Sequence, residues 1–236
     1  MSDTNTLLVF GAHPDDIEFG AGGIIACETA AGRPTHFVVC SKGESGTNGT
    51  PAQRAVEAEK GAQLLGASLE FADLGGDAHF VPSLPYTLKL AAIIRRIRPA
   101  VVLAPTLVEN QHPDHYTLGN LVRNAARLAR YGGVPELRDS PAHAIGALFF
   151  YAITPEAEPR NQAALVVNVS DFVAPWSAAM KAHASQAATR DYVELQLTRA
   201  HLHGLSAGVA HAIPLWPADP LVVDSLAPMV RSARRF

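Results

Sequence analysis

The chain has 236 residues, of which 48% are hydrophobic and 17% charged, enough apolar content for one sizeable core. Its net charge of -3 argues against a nucleic-acid-binding protein that works by bulk electrostatics. We expect a cytoplasmic protein outside the membrane, because no apolar stretch approaches the ~18 to 20 residues of a membrane span, no signal-peptide pattern is visible, and the two cysteines cannot form a disulfide framework.

Short apolar runs alternate with helical patterns along most of the chain. Strands are predicted at residues 6–10, 35–40, 69–74, 100–104, 147–153 and 165–169. Helices are predicted at residues 20–32, 51–66, 83–98, 116–130 and over most of 171–205. This alternation is typical of βαβ units, so we predict an α/β fold: a Rossmann-like wound, mainly parallel sheet flanked by helices, with a less regular C-terminal appendage. The absence of a linker or repeat favours one domain over residues 1–236.

Polar side chains follow three of the predicted strands. AHPDDIE (12–18) follows the first strand, a glycine-rich loop around Glu44 follows the second, and NQHPDH (110–115) follows the fourth. Ligands of open α/β sheets bind beyond the carboxyl ends of the strands. We therefore expect the side chains of the two His-Pro-Asp segments to meet in one site.

His13, Asp16 and His115 have the composition of a catalytic zinc site. Two imidazoles and one carboxylate leave a coordination position for water, whereas a structural zinc site would more often use four ligands rich in cysteine. The same set also suits Fe²⁺. The alternative is that each histidine caps a helix or bonds to loop backbone.

Asp15 is a second carboxylate beside Asp16, placed to accept a proton from an activated water molecule. His112 could stand opposite it, donating a hydrogen bond to a developing oxyanion or a proton to a leaving amine. Asp114 could hold the imidazole of His112 in its charged form, or could instead be the N-cap of the helix predicted from Tyr116. A metal, a base and an acid around one carbonyl describe metal-assisted hydrolysis.

The motifs AHPDDIE and HPDH resemble the two signatures of the LmbE-like (PIG-L) family of zinc-dependent N-deacetylases, which remove acetyl from N-acetylglucosamine-type substrates. The resemblance extends through KGESGTNGTPAQRAVEAEKGAQLLGA (42–67), HASQ (183–186) and, more weakly, HLHGLSAGV (201–209). It implies His13, Asp16 and His115 as metal ligands, Asp15 as the general base, and His112 backed by Asp114 as the acid or oxyanion partner. Arg54 stands where the family has a substrate-binding arginine, although it could also lie on a solvated helix face. Asn110 departs from the family, which often has an aspartate there.

The resemblance also suggests a substrate. Without a membrane segment, the chain is closer to the bacillithiol-type branch than to the membrane-anchored one, and N-acetylglucosaminyl malate is the substrate that this implies. Other members of the family act in mycothiol biosynthesis, on chitobiose-like sugars or on antibiotic precursors. Another N-acyl amino sugar therefore remains an alternative substrate. The family often forms homo-oligomers, including hexamers, so a homo-oligomer is expected.

Other protein classes are disfavoured or remain open. The dinucleotide fingerprint G-x-G-x-x-G fails at Ile25. A G-x-S-x-G pattern occurs at residues 204–208, but it lies at the end of a predicted helical stretch and not after a strand, so it does not predict a nucleophile elbow. A non-catalytic sugar-binding or metal-binding protein on the same scaffold stays an alternative. It would keep the metal ligands but have no use for Asp15.

Overall fold

The fold is built around a seven-stranded sheet. The structure is a computed structural model that describes residues 5–109, 112–187, 190–227 and 231–233. The strands are β1 (Leu7–Gly11), β2 (Thr35–Val39), β3 (Ser68–Phe71), β4 (Val101–Pro105), β5 (Ala147–Tyr151), β6 (Leu165–Asn168) and β7 (Ala212–Pro217). Their order across the sheet is β3-β2-β1-β4-β5-β7-β6. The first five run parallel, and β7 is antiparallel to both β5 and β6. The predicted α/β fold with a mainly parallel sheet is confirmed.

Helices cover both faces of this sheet. They are α1 (Asp16–Ala30), α2 (Pro51–Leu64), α3 (Leu84–Ile97), α4 (Pro113–Arg130), α5 (Val173–Lys181), α6 (Ala184–Ala187) and α7 (Tyr192–Ala207). Successive residues of β1 point to opposite faces, so Leu7 and Val9 pack in a core with α1, α5 and α7, while Leu8 and Phe10 pack with α3 and α4. Within the described residues, every helix is too short or too polar to cross a bilayer.

Four features differ from the sequence prediction. Helix α1 begins at Asp16 rather than at residue 20, and α4 begins at Pro113 rather than at residue 116. The long helical pattern after residue 171 is divided among α5, α6 and α7. Strand β7 was not predicted, because Pro214 and Pro217 argue against a strand. It forms between two partners, pairing with β6 along Ala212–Leu215 and with β5 at Trp216 and Pro217.

Helix α1 is buried over its first eleven residues and fixes one side of the site. Gly22 lets it approach α5 closely, since a Cβ atom there would lie 2.6 Å from Cδ1 of Trp176. The Trp176 indole donates a hydrogen bond to the carbonyl oxygen of Glu18 (2.7 Å), and the Tyr151 hydroxyl donates one to that of Phe10 (2.8 Å). The first bond ties the start of α1 to α5, and the second ties the carboxyl end of β1 to β5.

Candidate active site

The candidate site lies where the strand order of the sheet reverses. The chain runs from β1 outward to β2 and β3 on one side, and from β4 to β5 on the other. The connections after β1 and β4 therefore diverge and leave a crevice between them, as open α/β sheets do. His13, Asp15 and Asp16 lie after β1, while His112, Asp114 and His115 lie after β4. The structure brings these six side chains together, as the sequence predicts.

His13 Nδ1, His115 Nε2 and the Asp16 carboxylate form a compact triangle. The two nitrogens are 3.3 Å apart, His13 Nδ1 lies 3.4 Å from Asp16 Oδ2, and His115 Nε2 lies 3.1 Å from Asp16 Oδ1. Two ligands of a tetrahedral ion with bonds of about 2.0–2.1 Å are separated by about 3.3 Å. The spacing of the two imidazole nitrogens therefore fits ligands of one metal ion, and Asp16 meets each histidine with a different oxygen.

Asp16 is held rigidly by the backbone around it. Its Oδ2 accepts hydrogen bonds from the amides of Ala12 (2.9 Å) and His13 (2.8 Å). These bonds explain why the His-Pro-Asp-Asp turn leads directly into α1, with Asp16 as the first helical residue. They leave Oδ1 directed at His115.

The opposite edge of the His13 ring faces two other carboxylates. His13 Nε2 lies 3.1 Å from Asp77 Oδ1 and 3.3 Å from Asp114 Oδ2, and Asp114 also accepts a hydrogen bond from the amide of Ala78 (2.7 Å). The contact of Asp114 with His13 was not predicted, whereas its predicted pairing with His112 stays a prediction, since ligand atoms of Asp114 and His112 lie within 4.8 Å of each other. Asp77 Oδ1 lies 3.6 Å from His112 Nε2.

The described residues thus offer a metal ion more than one position. Ligand atoms that all lie within 4.8 Å of one another belong to two groups: His13, His112 and His115, and His13, Asp77, His112 and Asp114. A neutral imidazole coordinates a metal ion through one ring nitrogen and carries its proton on the other, so His13 ligates an ion at only one edge of its ring. The Nδ1 edge faces Asp16 and His115, and the Nε2 edge faces Asp77 and Asp114. A His/Asp cluster that could hold a metal ion is therefore present.

The electrostatics of the cluster favour a cation. Burial would lower the pKa of His13, but Asp16, Asp114 and Asp77 outweigh it and hold that pKa well above its usual value. Burial would raise the pKa of Asp16, but His115 and His13 hold it well below its usual value. Carboxylates outnumber imidazoles around His13, which is the surplus of negative charge that a divalent ion balances.

Asp15 occupies a strained position at the start of α1. Its φ of 114° and ψ of -31° are unusual for a residue with a side chain, and that side chain makes no capping hydrogen bond to the helix. Its Oδ2 instead lies 3.5 Å from an Nη of Arg54. Burial and the neighbouring Asp16 carboxylate raise the pKa of Asp15 to about 6, while His183, Arg54 and His13 partly oppose the rise.

Arg54 is 5% exposed, so it does not lie on a solvated helix face. Its guanidinium donates hydrogen bonds to the carbonyl oxygens of Pro14 (3.0 Å) and Gly43 (3.4 Å). Gly43 has a φ of 68°, and a Cβ atom there would collide with the guanidinium. The glycine-rich loop therefore wraps around Arg54 and holds it against Asp15.

His112 borders the cluster and is partly exposed, with 36% of its side chain accessible. Its ring centre is 4.3 Å from that of His13 and 5.1 Å from that of His115. Burial, together with the charges of His13 and His115, lowers the pKa of His112 below its usual value. The expected charged form of this imidazole is therefore not favoured.

The HASQ segment (183–186) contacts the glycine-rich loop and α2. Ser185 donates hydrogen bonds to the Glu57 carboxylate from its hydroxyl (2.6 Å) and its amide (3.0 Å), and Gln186 donates one to the carbonyl oxygen of Asn48 (2.8 Å). His183 is fully buried, 3.2 Å from Glu18 Oε1. This segment supports the loop that wraps around Arg54.

A cavity of about 400 Å³ opens onto the cluster. The predicted site residues that line it are His13, Asp15, Asp16, Arg54, His112 and His115. The rest of the lining comprises Phe19, Gly46, Asp77, residues 153–156, Gln186, Arg190, Tyr192, Leu195 and Gln196. Its volume and mixed apolar and polar lining suit a small-molecule ligand.

Asp77 is the site residue that the sequence analysis missed. It follows β3 in the segment Gly75-Gly76-Asp77, which on its own is typical of a surface turn. The sequence feature that could have identified it is its position beyond the carboxyl end of a strand, at the same edge of the sheet as His13. Asn110, where the chain departs from the family pattern, lies outside the described residues.

Comparison with known proteins supports one family. Residues 8–126 match the family described as PIG-L: GlcNAc-PI de-N-acetylase. The chain is similar to the diacetylchitobiose deacetylase of Thermococcus kodakarensis, with 30% identity over 78% of this chain and 71% of that protein. It also resembles the conserved protein TT1542 from Thermus thermophilus, with 32% identity and a TM-score of 0.82 over 97% of this chain and 99% of the other.

A relative with a different activity is also similar. The 4-oxalmesaconate hydratase of Pseudomonas putida is 33% identical over 138 residues. That match spans 53% of this chain and 53% of the hydratase, so the chain covers about half the length of this relative.

Proposed function

The chain belongs to the PIG-L family, and from that membership we propose that it is a metal-dependent N-deacetylase that hydrolyses the acetamide of an N-acetylated amino sugar. The family match and the diacetylchitobiose deacetylase support the reaction class. The proposal rests above all on Asp15. This residue has strained backbone angles, and its carboxylate lines the cavity beside a cluster that could hold a metal ion. Strained backbone of this kind is concentrated at functional sites.

We assign the metal to the Nδ1 edge of His13, with Asp16 and His115 as the other ligands and Zn²⁺ or Fe²⁺ as the ion. The Nε2 edge then donates its N–H to Asp77 and Asp114, which fixes the tautomer in the way usual for ligating histidines. This set of three leaves coordination positions open, whereas the four groups on the other edge would close the site. When bound, the ion polarises a carbonyl group and lowers the pKa of water toward ~7.

The residues of the chain then have distinct roles. Asp15 accepts a proton from the water that adds to the acetamide carbon, and Arg54 orients the Asp15 carboxylate. His112 donates a hydrogen bond to the carbonyl oxygen as negative charge develops there. The C–N bond breaks, the amine nitrogen takes the proton that Asp15 carries, and acetate and a free amino sugar leave.

The substrate that we propose is N-acetylglucosaminyl malate, with chitobiose-like and other N-acyl amino sugars as alternatives. The first experiment is acetate release by zinc-loaded protein from this conjugate and from free N-acetylglucosamine, each with and without a chelator. We expect chelator-sensitive release, faster from the conjugate. Chelator-resistant release would contradict the metal-dependent mechanism, and no release from either sugar would contradict the amino-sugar substrate.

Asp15→Asn provides the test of the base. Asparagine tolerates unusual backbone angles and cannot accept the proton, so we expect kcat to fall by about 10² to 10⁴-fold. Bound metal, measured by elemental analysis, should stay at the wild-type level. Unchanged turnover in this variant would refute the assigned role of Asp15 as the base.

The second candidate is a hydratase, favoured by the match to 4-oxalmesaconate hydratase. A polycarboxylate substrate needs several cationic partners. Two arginines line the cavity among the described residues, and Arg54 is already bonded to Pro14, Gly43 and Asp15. This charge pattern favours the amino sugar. Ultraviolet absorbance of an unsaturated dicarboxylate, incubated with the protein, would report hydration directly.

A further inference from the structure

One wall of the cavity is a short segment, residues 152–158, which we call the strap. It leaves the carboxyl end of β5, turns through the single 3-10 turn Pro155–Ala157, and ends at Glu158. Ile153, Thr154, Pro155 and Glu156 line the cavity. The strap therefore shapes the site without contributing to the His/Asp cluster.

One largely buried side chain, that of Arg199 with 9% of its surface exposed, joins the two ends of the strap. Arg199, on α7, donates hydrogen bonds from Nη2 to the carbonyl oxygen of Ala152 (2.7 Å) and from Nη1 to that of Ile153 (3.1 Å). Its Nε lies 2.7 Å from Glu158 Oε1. Because the guanidinium is planar and rigid, these contacts fix the distance between the beginning and the end of the strap.

Neighbouring side chains complete the attachment. Gln196 donates a hydrogen bond to the carbonyl oxygen of Ile153 (2.8 Å), and the Thr106 hydroxyl donates one to that of Ala157 (2.7 Å). His203 Nε2 lies 2.9 Å from the Glu158 oxygen that Arg199 contacts. The outer residues Pro155 and Glu156 are exposed at the cavity mouth.

The geometry of the proposed reaction sends the rest of the substrate toward the strap. The acetamide carbon must reach the cluster at the ends of β1 and β4, and an acetyl group is small. Beyond the cluster, the strap supplies four consecutive lining residues, and the start of α7 adds Tyr192 and Leu195. Whatever the amino sugar carries beyond its own ring therefore meets this wall.

We propose that the strap determines specificity for the group attached to the amino sugar, and that Arg199 is its positioning residue. This inference rests on the proposed deacetylase function. Arg199 lies outside the cavity lining, so it acts through the backbone of residues 152–158 rather than by touching substrate.

The chain supplies a matched control in Arg95 on α3. Arg95 is 2% exposed and its guanidinium also donates to backbone carbonyl oxygens, those of Ala129 (3.0 Å), Tyr131 (2.6 Å) and Ser140 (2.8 Å). It ties the end of α4 to the following loop and does not line the cavity. Arg95→Lys therefore removes the same kind of contact at a place remote from substrate.

The experiment compares Arg199→Lys with Arg95→Lys. For each variant we would measure Tm, and kcat and KM for N-acetylglucosamine, N-acetylglucosaminyl malate and diacetylchitobiose. We expect both variants to lower Tm, and Arg199→Lys alone to raise KM for the two conjugates at least fivefold, with kcat and the KM for N-acetylglucosamine within about twofold of wild type. Equal kinetic changes in the two variants, or a uniform loss on all three substrates, would overturn the inference.

A second measurement does not depend on turnover. Hydrogen exchange of peptides covering residues 152–158 should accelerate in Arg199→Lys and stay at the wild-type rate in Arg95→Lys, and an unchanged rate in both would refute the positioning role. If Arg199→Lys does not fold, Glu158→Gln weakens the same junction more gently and should shift exchange and KM in the same direction. Wild-type protein that releases no acetate from any amino sugar would contradict the proposed function, while the exchange result would still decide the role of Arg199.

Discussion

At the scale of single residues, Asp15 combines unfavourable backbone angles with a side chain that makes no capping hydrogen bond to the helix it precedes. Its carboxylate faces Arg54 and the cavity rather than capping α1. Backbone in such a conformation costs on the order of 1–3 kcal/mol. Function and stability therefore oppose each other at this position.

Asp15→Gly should separate the two. Glycine adopts a φ of 114° without steric cost, so we expect thermal unfolding to show a higher Tm, by up to a few degrees, together with loss of deacetylase turnover. Asp15→Ala is the control, because it removes the carboxylate without relieving the backbone. A lower Tm for the glycine variant than for the alanine variant would show that the backbone is not strained.

Asp77 tests which edge of the His13 ring holds the metal. If the ion binds at Nδ1, Asp77→Asn removes only a partner of the Nε2–H and should weaken Zn²⁺ affinity by about 10 to 100-fold. His115→Ala should abolish binding in the same titration. The reverse ranking, with His115→Ala near wild type and Asp77→Asn unable to bind, would place the ion at the other edge.

The residue types of the site could be predicted from sequence, but some of their pairings could not. His13, Asp16 and His115 meet because two strand ends are adjacent in any wound parallel sheet, which the alternation of elements already indicates. The contact of Asp114 with His13 was not expected from the sequence, and neither was Asp77. Which edge of an imidazole faces which carboxylate depends on side-chain rotation and on the path of a distant loop, and neither leaves a local pattern.

At the scale of elements, the first helix was recognised but placed too late, since His-Pro-Asp-Asp resembles a loop. The Asp16 carboxylate bonds to the amides of Ala12 and His13, which makes those residues a turn that leads directly into the helix. Strand β7 was missed for the opposite reason, because proline propensity was outweighed by pairing with β6 along Ala212–Leu215. In both cases tertiary contacts overrode a local signal.

Helix α1 depends on close approach to α5, and Gly22→Ala tests this. The new Cβ atom would lie 2.6 Å from Trp176 Cδ1, so the indole or the helix must move, and the bond from Trp176 to Glu18 is strained. We expect urea denaturation to give a free energy of unfolding lower by about 1–3 kcal/mol. Gly32→Ala is unsuitable as a control because of its φ of 81°, whereas Ala31→Gly alters the exposed end of the same helix without touching α5. Equal stability of wild type and Gly22→Ala would show that α1 and α5 pack loosely.

At the scale of the whole molecule, a bound ion should act as a stabilising ligand for the entire fold. The groups around it come from the connections after β1, β3 and β4, and unfolding separates them. Free Zn²⁺ at 100 times its Kd adds about 2.7 kcal/mol to the free energy of unfolding. For a chain of this length that corresponds to a rise in Tm of about 5 to 10 °C.

Differential scanning calorimetry with and without Zn²⁺ would measure this rise, and His115→Ala serves as the matched control. The variant should lose most of the shift while keeping a similar Tm in chelator. A shift of the same size in the variant would mean that Zn²⁺ stabilises the protein from somewhere else.

The cavity is built from two stretches of the chain that never overlap. Every group assigned to the reaction lies within residues 8–126, the part that matches the family, whereas the strap and α7 come from the second half. Substitutions that reshape the wall can therefore accumulate without disturbing the machinery that breaks the bond. A gene organised in this way can acquire a new substrate by drift in its downstream half alone. A chimaera that joins the first 126 residues of one relative to the remainder of another should take its reaction from the first relative and its substrate preference from the second.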